Sequence, residues 1–182
     1  MSLTLFIIFL IAYSLIEAFI IYMFAKQKNK LQLQATLTSS LLFFLYVLAD
    51  LIFGINVPML ILVLVMTSIF IQTFFGYYKN RFMESKKFDR YLHAFGSFSF
   101  ALFFYSLIDK ILLPEVTPKM YAAIFVLVLG IAIGALFEII EFVLDKIKHT
   151  KMQKNLKDTD LDMIFNVIGS VFASVVSYFF IL

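Results

Sequence analysis

Six apolar segments, each about as long as a membrane-crossing helix, dominate the sequence. They cover about residues 3–25, 35–54, 57–78, 89–108, 120–144 and 159–182. About 20 residues of helix, each rising about 1.5 Å, are needed to cross about 30 Å of hydrocarbon. Because 63% of the residues are hydrophobic and 15% are charged, the composition excludes an ordinary soluble domain. The sequence therefore predicts an all-α fold, a polytopic transmembrane bundle of six helices.

The polar segments between these helices indicate their orientation. Lys and Arg number three after the first helix, none after the second, five after the third, two after the fourth and five after the fifth. By the positive-inside rule, the first, third and fifth loops are cytoplasmic and both termini lie outside a bacterial inner membrane. Membrane lipids are the expected partners. Since the basic residues flank apolar segments, the net charge of +3 does not indicate a nucleic-acid partner.

The chain is expected to form a single transmembrane domain over residues 1–182. Its scaffold helices lie in about 3–78 and its motif-bearing helices in about 89–182. The last helix is expected to begin near Thr159, with Asp158 or Thr159 as its N-cap. The lack of cysteine excludes disulfides and thiolate metal ligands. The sequence does not indicate an oligomeric state.

Polar residues recur on one face of each of the last two helices. In the fifth helix this face carries Gly130, Gly134, Glu138, Glu141 and Asp145, which fall within an arc of roughly 80° at about 100° per residue. In the sixth, the same intervals separate Asp158, Asp162, Asn166, Gly169 and Ala173. The fourth helix begins with Asp89 and His93, one turn apart. The matching spacing predicts that these three helices meet through their polar faces.

Ionisable side chains inside a membrane are costly, and they are typical of functional sites. We expect Glu138, Glu141, Asp162 and Asn166 to serve as metal ligands or polar contacts, together with Asp158 and with Glu17, which lies at a similar depth. His93 and Asp89 are the candidate catalytic residues, with His93 as acid or base. The predicted helix-packing residues are Gly130, Gly134 and Gly169. The alternative is a buried polar network that only holds helices together, with Asp158 as a solvated helix end.

Several carboxylates at this depth cannot all be ionised without a positive partner, and the sequence indicates no buried lysine or arginine. Either some carboxyl groups keep their protons, or a divalent cation such as Mg²⁺, Mn²⁺ or Ca²⁺ is bound, with Zn²⁺ possible through His93. A cation would also accept an anionic lipid phosphate, held from the cytoplasmic side by lysines of the basic loops.

The order and spacing of these polar residues resemble a known pattern. The series Asp89-Arg90-x-x-His93, Glu138-x-x-Glu141 and Asp158-Thr159-x-x-Asp162-x-x-x-Asn166-x-x-Gly169 resembles the bacterial membrane proteins of the YjdF type, and more distantly the VanZ-like family associated with teicoplanin resistance. The resemblance covers about residues 89–175. The VanZ-like pattern usually has Gln at the position of Glu141 and an Arg before the last motif, and this chain has neither. The resemblance implies an envelope setting and no established reaction.

Three classes of function follow from these residues. The first is metal-assisted binding or modification of a lipid-phosphate or lipid-linked substrate at the inner leaflet. The second is an ion- or proton-coupled transporter, although the outer halves of the last three helices carry no ionisable side chain to continue a path. The third is a structural or regulatory membrane protein without catalysis. The sequence favours the first class narrowly and leaves open whether the protein is an enzyme.

Overall fold

The computed structural model describes residues 3–112 and 118–181, and within these ranges the regular structure is entirely helical. The helices are α1 (Leu3–Lys26), α2 (Lys30–Phe53), α3 (Met59–Phe70, continued by a π-helix, Ile71–Tyr78), α4 (Arg81–Glu84), α5 (Lys86–Leu112), α6 (Lys119–Lys148) and α7 (Leu156–Val176, continued by a π-helix, Ser177–Ile181). Six of them, all except α4, are long and apolar enough to span a membrane. The predicted all-α fold with six membrane-spanning helices is confirmed.

Some helix ends differ from the sequence-based expectation. The short helix α4 and the start of α5 occupy part of residues 79–90, which the sequence suggested were a polar loop. Helix α7 begins three residues before Thr159, because Asn155 is its N-cap and accepts the backbone N–H of Asp158 at 3.1 Å. The expectation that Asp158 or Thr159 caps this helix is therefore wrong. In the predicted connection before α6, residues 109–112 belong to α5 instead, and residues 113–117 lie outside the described residues.

The chain divides into two compact units, residues 1–85 and 86–182. A single domain over the whole chain stays a prediction. In the first unit, α1 packs against α2 and against α3 with its π-helical extension. The buried residues of α1 recur at helical spacing and define one inward face: Phe6, Tyr13, Glu17, Ile20 and Phe24.

In the second unit, α7 packs against both α5 and α6. The faces that bury in this bundle are those that carry the recurring polar residues. On α6 the buried residues are Ala122, Ala123, Val126, Gly130, Gly134, Glu138 and Glu141. On α7 they are Asp158, Asp162, Asn166, Gly169, Ser170 and Ala173. The polar groups therefore lie inside the three-helix bundle.

The outer surfaces of the long helices are strongly apolar. Large exposed side chains include Leu51, which is 81% exposed, and Phe180, which is 82% exposed. On a soluble protein such a surface would lead to association, whereas hydrocarbon chains solvate it. The exposed side chains are thus suited to contact with membrane lipids.

Close helix contact in the second unit depends on glycine. A Cβ atom built on Gly169 of α7 would lie 1.9 Å from the backbone oxygen of Ala94 on α5. A Cβ on Gly134 would lie 2.5 Å from Cγ of Asn166, and one on Gly130 would lie 2.4 Å from Oγ of Ser170. Rotation of the Asn166 and Ser170 side chains would not remove the contacts of these added atoms with their Cβ atoms, at 2.6 and 2.8 Å. The contact of Gly169 is the most restrictive, because the Ala94 backbone cannot move without shifting α5. Gly169 therefore sets the distance between α5 and α7.

We expect Gly169→Ala to destabilise the protein by about 3 kcal/mol, the upper end of the range for overpacking a core. Thermal unfolding in detergent would measure it. The control is Val167→Leu, which adds one carbon to an exposed position of the same helix and should leave the unfolding temperature unchanged. Equal stability of Gly169→Ala and wild type would contradict the close approach of α5 and α7.

Candidate functional site

His93 on α5 joins residues of all three helices in the second unit. Its Nε2 lies 3.6 Å from Oε1 of Glu138 on α6 and 3.8 Å from Oδ1 of Asp89, one turn earlier on α5. Its Nδ1 lies 3.3 Å from Oδ1 of Asn166 on α7. All four side chains are buried. The imidazole therefore lies at the centre of the polar group.

The hydrogen bonds around Asn166 indicate which nitrogen of His93 carries a proton. Ser97 donates its hydroxyl to Oδ1 of Asn166 at 2.7 Å, so this oxygen is an acceptor. An amide oxygen cannot donate, and the 3.3 Å contact to Nδ1 therefore requires a proton on Nδ1 in this amide orientation. Nε2 is left either as a free lone pair or as the second N–H of an imidazolium. In both states it faces the carboxyl groups of Asp89 and Glu138.

Two groups of three side chains could each hold a metal ion. One consists of His93, Glu138 and Glu141, and the other of Asp89, Asp158 and Asp162. Within each group, one ligand atom per residue lies within 4.8 Å of the others, and all six residues are buried. Oε1 of Glu138 and Oδ1 of Asp162 have no hydrogen-bond partner among the described residues. Unsatisfied buried carboxyl oxygens of this kind are costly unless a proton or a cation completes them.

The structure also brings two basic side chains to the acidic group. Nζ of Lys154 lies 3.0 Å from Oδ2 of Asp89 and 3.4 Å from Oδ2 of Asp158. Nη2 of Arg90 lies 3.6 Å from Oδ1 of Asp158. The expectation that no buried lysine or arginine joins the acids is therefore wrong in part, since these two side chains are only 23% and 20% exposed. Burial acts to lower the pKa of Lys154, but the carboxylates of Asp89 and Asp158 outweigh it and raise the pKa on balance.

The folded loop between α6 and α7 positions Lys154 beside Asp89 and Asp158. Asp145, near the end of α6, accepts hydrogen bonds from the Thr150 hydroxyl, from the Met152 N–H at 2.8 Å and from the Gln153 N–H at 3.0 Å. The Gln153 side chain then donates to the Glu138 backbone oxygen at 3.0 Å and to its Oε2 at 2.9 Å. Asp145 thus orders the loop, and the loop covers Glu138.

Sequence reasoning missed both Gln153 and Lys154. Their segment, residues 149–155, follows a run of lysines and is typical of a solvated loop. The one signal was Asp145, which continues the acidic face of α6 to the start of this loop. Nothing in the spacing connects Gln153 to Glu138, because the connection depends on how the loop folds back.

The charge of the site is still strongly negative after these basic residues are counted. Its five carboxyl groups are Asp89, Glu138, Glu141, Asp158 and Asp162, and its two permanent cations are Arg90 and Lys154. Five minus two leaves three negative charges if every carboxyl is ionised and His93 is neutral. Protons or a divalent cation are needed to remove this excess.

Glu17, which the sequence predicts to belong with these residues, lies in the first unit, and its place at the site stays a prediction. Its carboxyl oxygens are hydrogen-bonded to the hydroxyls of Ser40 at 2.9 Å and Thr73 at 2.6 Å, both in the same unit. The other predicted residues, which are Asp89, His93, Glu138, Glu141, Asp158, Asp162 and Asn166, all lie in the second unit and are buried there. Their roles as ligands or catalytic groups stay predictions.

Comparison with known proteins agrees with this description of a membrane protein. Residues 6–181 match the family described as predicted membrane protein (DUF2238). An uncharacterized protein of Thermotoga maritima is 35% identical over 105 residues, which are 57% of this chain and 54% of that protein. The aligned part thus spans about half of the relative's length. No solved structure matches the chain. Because the family match extends over nearly all of the sequence, the chain belongs to the DUF2238 family of predicted membrane proteins.

Proposed function

We propose that the protein binds a divalent cation through His93, Glu138 and Glu141, and that it uses the cation to hold or modify the phosphate of an anionic lipid. The observation that carries the proposal is the meeting of one imidazole and two carboxyl groups, buried, with ligand atoms within 4.8 Å of one another. Oε1 of Glu138 has no hydrogen-bond partner among the described residues and faces His93 at 3.6 Å. A bound cation would coordinate both Oε1 of Glu138 and Nε2 of His93.

The protonation of His93 supports this role. Metal-binding histidines usually donate their second ring N–H to an oxygen, which fixes the tautomer and the ring orientation. Here Nδ1 faces Oδ1 of Asn166, and the same oxygen accepts from Ser97. The lone pair of Nε2 would then be available to a cation shared with Glu138, whose Oε1 lies 3.6 Å from Nε2. Asn166 acts in this proposal as a positioning residue rather than as a ligand.

The donor set favours a particular class of ion. One nitrogen and two carboxylate oxygens suit Mn²⁺ or Zn²⁺, and carboxylates with additional oxygens suit Mg²⁺. The second acidic group, Asp89, Asp158 and Asp162, is already paired in part by Lys154 and Arg90. We therefore place the cation at the first group.

A lipid phosphate is the substrate class that the charges favour. A divalent cation polarises phosphoryl oxygens and neutralises their charge. Lys154 and Arg90 lie beside Asp89 and Asp158, where their remaining donors could reach a phosphate. Asp89 would then be the group placed to move a proton, because the cation would occupy Nε2 of His93 and Nδ1 faces Asn166. This assignment accords with the envelope setting implied by the resemblance to YjdF-type and VanZ-like proteins, which stays a proposal.

A structural function without catalysis is the second candidate. Gln153, Lys154, Ser97 and Asn166 already provide several hydrogen bonds in the second unit, so a polar network holding helices together is physically reasonable. Transport coupled to ions or protons would need an outward path, for which the polar residues of α5–α7 give no support. The three functions differ in their dependence on a metal.

We infer that the first, third and fifth loops face the cytoplasm and that both termini lie outside a bacterial inner membrane, because lysines and arginines concentrate in those loops. The absence of cysteine allows a direct test. A membrane-impermeant maleimide added to intact cells should label Pro58→Cys, and it should label Lys28→Cys and Lys151→Cys only after the membrane is broken. All three positions are exposed. Labelling of Lys151→Cys in intact cells would reverse the orientation.

We expect a divalent cation to stabilise the protein, and the metal-binding variants to lose this effect. A ligand at about 100 times its Kd adds about 2.7 kcal/mol to the free energy of unfolding. Thermal unfolding in detergent, with EDTA compared with Mg²⁺, Mn²⁺, Ca²⁺ or Zn²⁺, would show it. Glu141→Gln removes a ligand charge while preserving shape, and it should abolish the stabilisation. Asp162→Asn, in the second acidic group, should retain most of it.

The matched control is Asp160→Asn, the same change at an exposed position of α7. It should respond to the cation as the wild type does. A protein whose unfolding temperature is indifferent to all four cations would contradict metal binding, and the polar-network function would replace it. If Asp162→Asn loses the response and Glu141→Gln keeps it, the cation belongs to the second group.

Replacement of Lys154 should strengthen cation binding. Its ammonium group lies near the acidic residues and repels a second positive charge, so Lys154→Met should lower the Kd about tenfold, or about 1.4 kcal/mol. Isothermal titration with the cation that stabilises the wild type would measure the change. Lys151→Met, in the exposed part of the same loop, is the control and should bind as the wild type does. An unchanged Kd in Lys154→Met would contradict a cation at His93, Glu138 and Glu141, because His93 lies 3.8 Å from Asp89, the ion-pair partner of Lys154.

A further inference from the structure

The first unit contains a further buried carboxyl group, which is not one of the proposed metal ligands. Glu17, on α1, is 1% exposed. Its Oε2 accepts the hydroxyl of Ser40 on α2 at 2.9 Å, and its Oε1 lies 2.6 Å from Oγ1 of Thr73. In the described part of this unit, no lysine or arginine forms an ion pair with it, since the pair found there joins Arg81 and Glu84. The carboxyl group has hydroxyl partners and no compensating charge.

Counting protons at Thr73 indicates the state of this carboxyl. Oγ1 of Thr73 lies close to three oxygens: Oε1 of Glu17 at 2.6 Å, the backbone oxygen of Ile69 at 3.0 Å and that of Phe70 at 3.3 Å. A hydroxyl has one proton to donate, and backbone oxygens only accept. If Thr73 donates its one proton to an ionised Glu17, the contact between Oγ1 of Thr73 and the Ile69 oxygen has no proton and is not a hydrogen bond. If Glu17 is protonated and donates to Thr73, the Thr73 proton is free for Ile69, and both contacts are hydrogen bonds.

The energetics favour the second arrangement. An ionised carboxylate buried without a positive partner loses its hydration, and it usually takes up a proton instead. Tyr13, one turn earlier on α1, is another titratable group that faces Glu17. An ionised Glu17 would disfavour ionisation of the Tyr13 phenol, so Tyr13 does not stabilise the Glu17 carboxylate.

The local backbone is also unusual at this point. Thr73 lies in the eight-residue π-helix that continues α3, and π-helical segments are frequent at functional sites. Two further buried hydroxyls, of Tyr13 and Thr36, have no hydrogen-bond partner among the described residues. Thr36 lies one turn before Ser40 on the same face of α2. The carboxyl group is thus surrounded by hydroxyls from three helical segments.

We propose that Glu17, Thr73 and Ser40 form a proton-binding site within the membrane, in which the Glu17 carboxyl is protonated at neutral pH and donates to Oγ1 of Thr73. Ser40 donates to the other carboxyl oxygen. The site binds a proton rather than a metal ion because each carboxyl oxygen is already in direct hydrogen-bonding contact with a hydroxyl. This inference is independent of the divalent-cation site proposed for the second unit.

Infrared spectroscopy distinguishes the two states of Glu17, because a protonated carboxyl and a carboxylate absorb at different frequencies. The spectrum of Glu17→Gln is subtracted from that of the wild type at pH 7, in detergent and in a potassium buffer. The other carboxyl groups cancel. We expect the difference to contain the C=O band of a protonated carboxyl, shifted by exchange into D₂O. Carboxylate bands in its place would overturn the proposal.

Glu84→Gln is the matched control, since Glu84 is exposed and paired with Arg81 at 3.2 Å. Its difference spectrum should contain carboxylate bands. Thr73→Val provides a second test that retains Glu17 if Glu17→Gln does not fold. Loss of the acceptor should shift the Glu17 C=O band to higher frequency, and an unshifted band would contradict donation to Thr73.

Sodium is the competing occupant, because carboxylate and hydroxyl oxygens also bind Na⁺. Replacing potassium by sodium at pH 7 should leave the protonated band of the wild type unchanged. Conversion of this band into carboxylate bands by Na⁺, absent in Glu17→Gln, would show a sodium site and overturn the proposal. Divalent cations are omitted from all samples, so failure of this test is separate from failure of the metal-dependent function.

Discussion

The burial of carboxyl groups in a low-dielectric bundle is the constraint on which the second unit depends. Each buried carboxylate loses hydration, and like charges packed closely raise the cost further. The structure meets this cost with several partners at once: Lys154 for Asp89, Arg90 for Asp158, Gln153 for Glu138 and His93 between two acids. If every carboxyl group were ionised and His93 neutral, three negative charges would remain unpaired. Protons or a divalent cation must remove this excess, which is the physical reason to propose a bound cation.

Small side chains make the polar contacts possible, because short hydrogen bonds between helices require close backbones. Gly169 allows α7 to approach the backbone of α5 at Ala94, and Gly134 leaves room for the side chain of Asn166. Asn166 then reaches both Ser97 and His93. Larger residues at either glycine would separate the helices and break the contact that fixes the His93 tautomer. Packing and chemistry are therefore coupled through a few positions.

The helices and the polar faces were predictable from the sequence, whereas the loop contacts were not. Apolar length and the recurrence of Glu138, Glu141, Asp162 and Asn166 are local properties that the helical repeat converts directly into position. The role of Lys154 depends on a loop that folds back under the control of Asp145, and no periodicity encodes that fold. Depth along the helix predicts that Glu17 joins the acidic group, and this stays a prediction. The hydrogen bonds of Glu17 lie within the first unit.

The buried carboxyl groups of the two units have chemically different partners, and this difference affects which ligand each unit can bind. Around Glu17 the partners are hydroxyls, which can donate or accept, so the carboxyl can be neutral with every nearby contact satisfied. Around Asp89 and Asp158 the partners include the cations Lys154 and Arg90, which can only donate and which favour ionised acids. Ionised acids beside a neutral imidazole attract a metal, whereas a carboxyl among hydroxyls retains a proton. Lys154 lies on a loop rather than on a helix, so its ammonium group is the positive charge that a phosphate could draw away with the least disturbance to the bundle. In the proposed function, movement of Lys154 towards a phosphate would leave Asp89, one turn from His93, without its ion-pair partner.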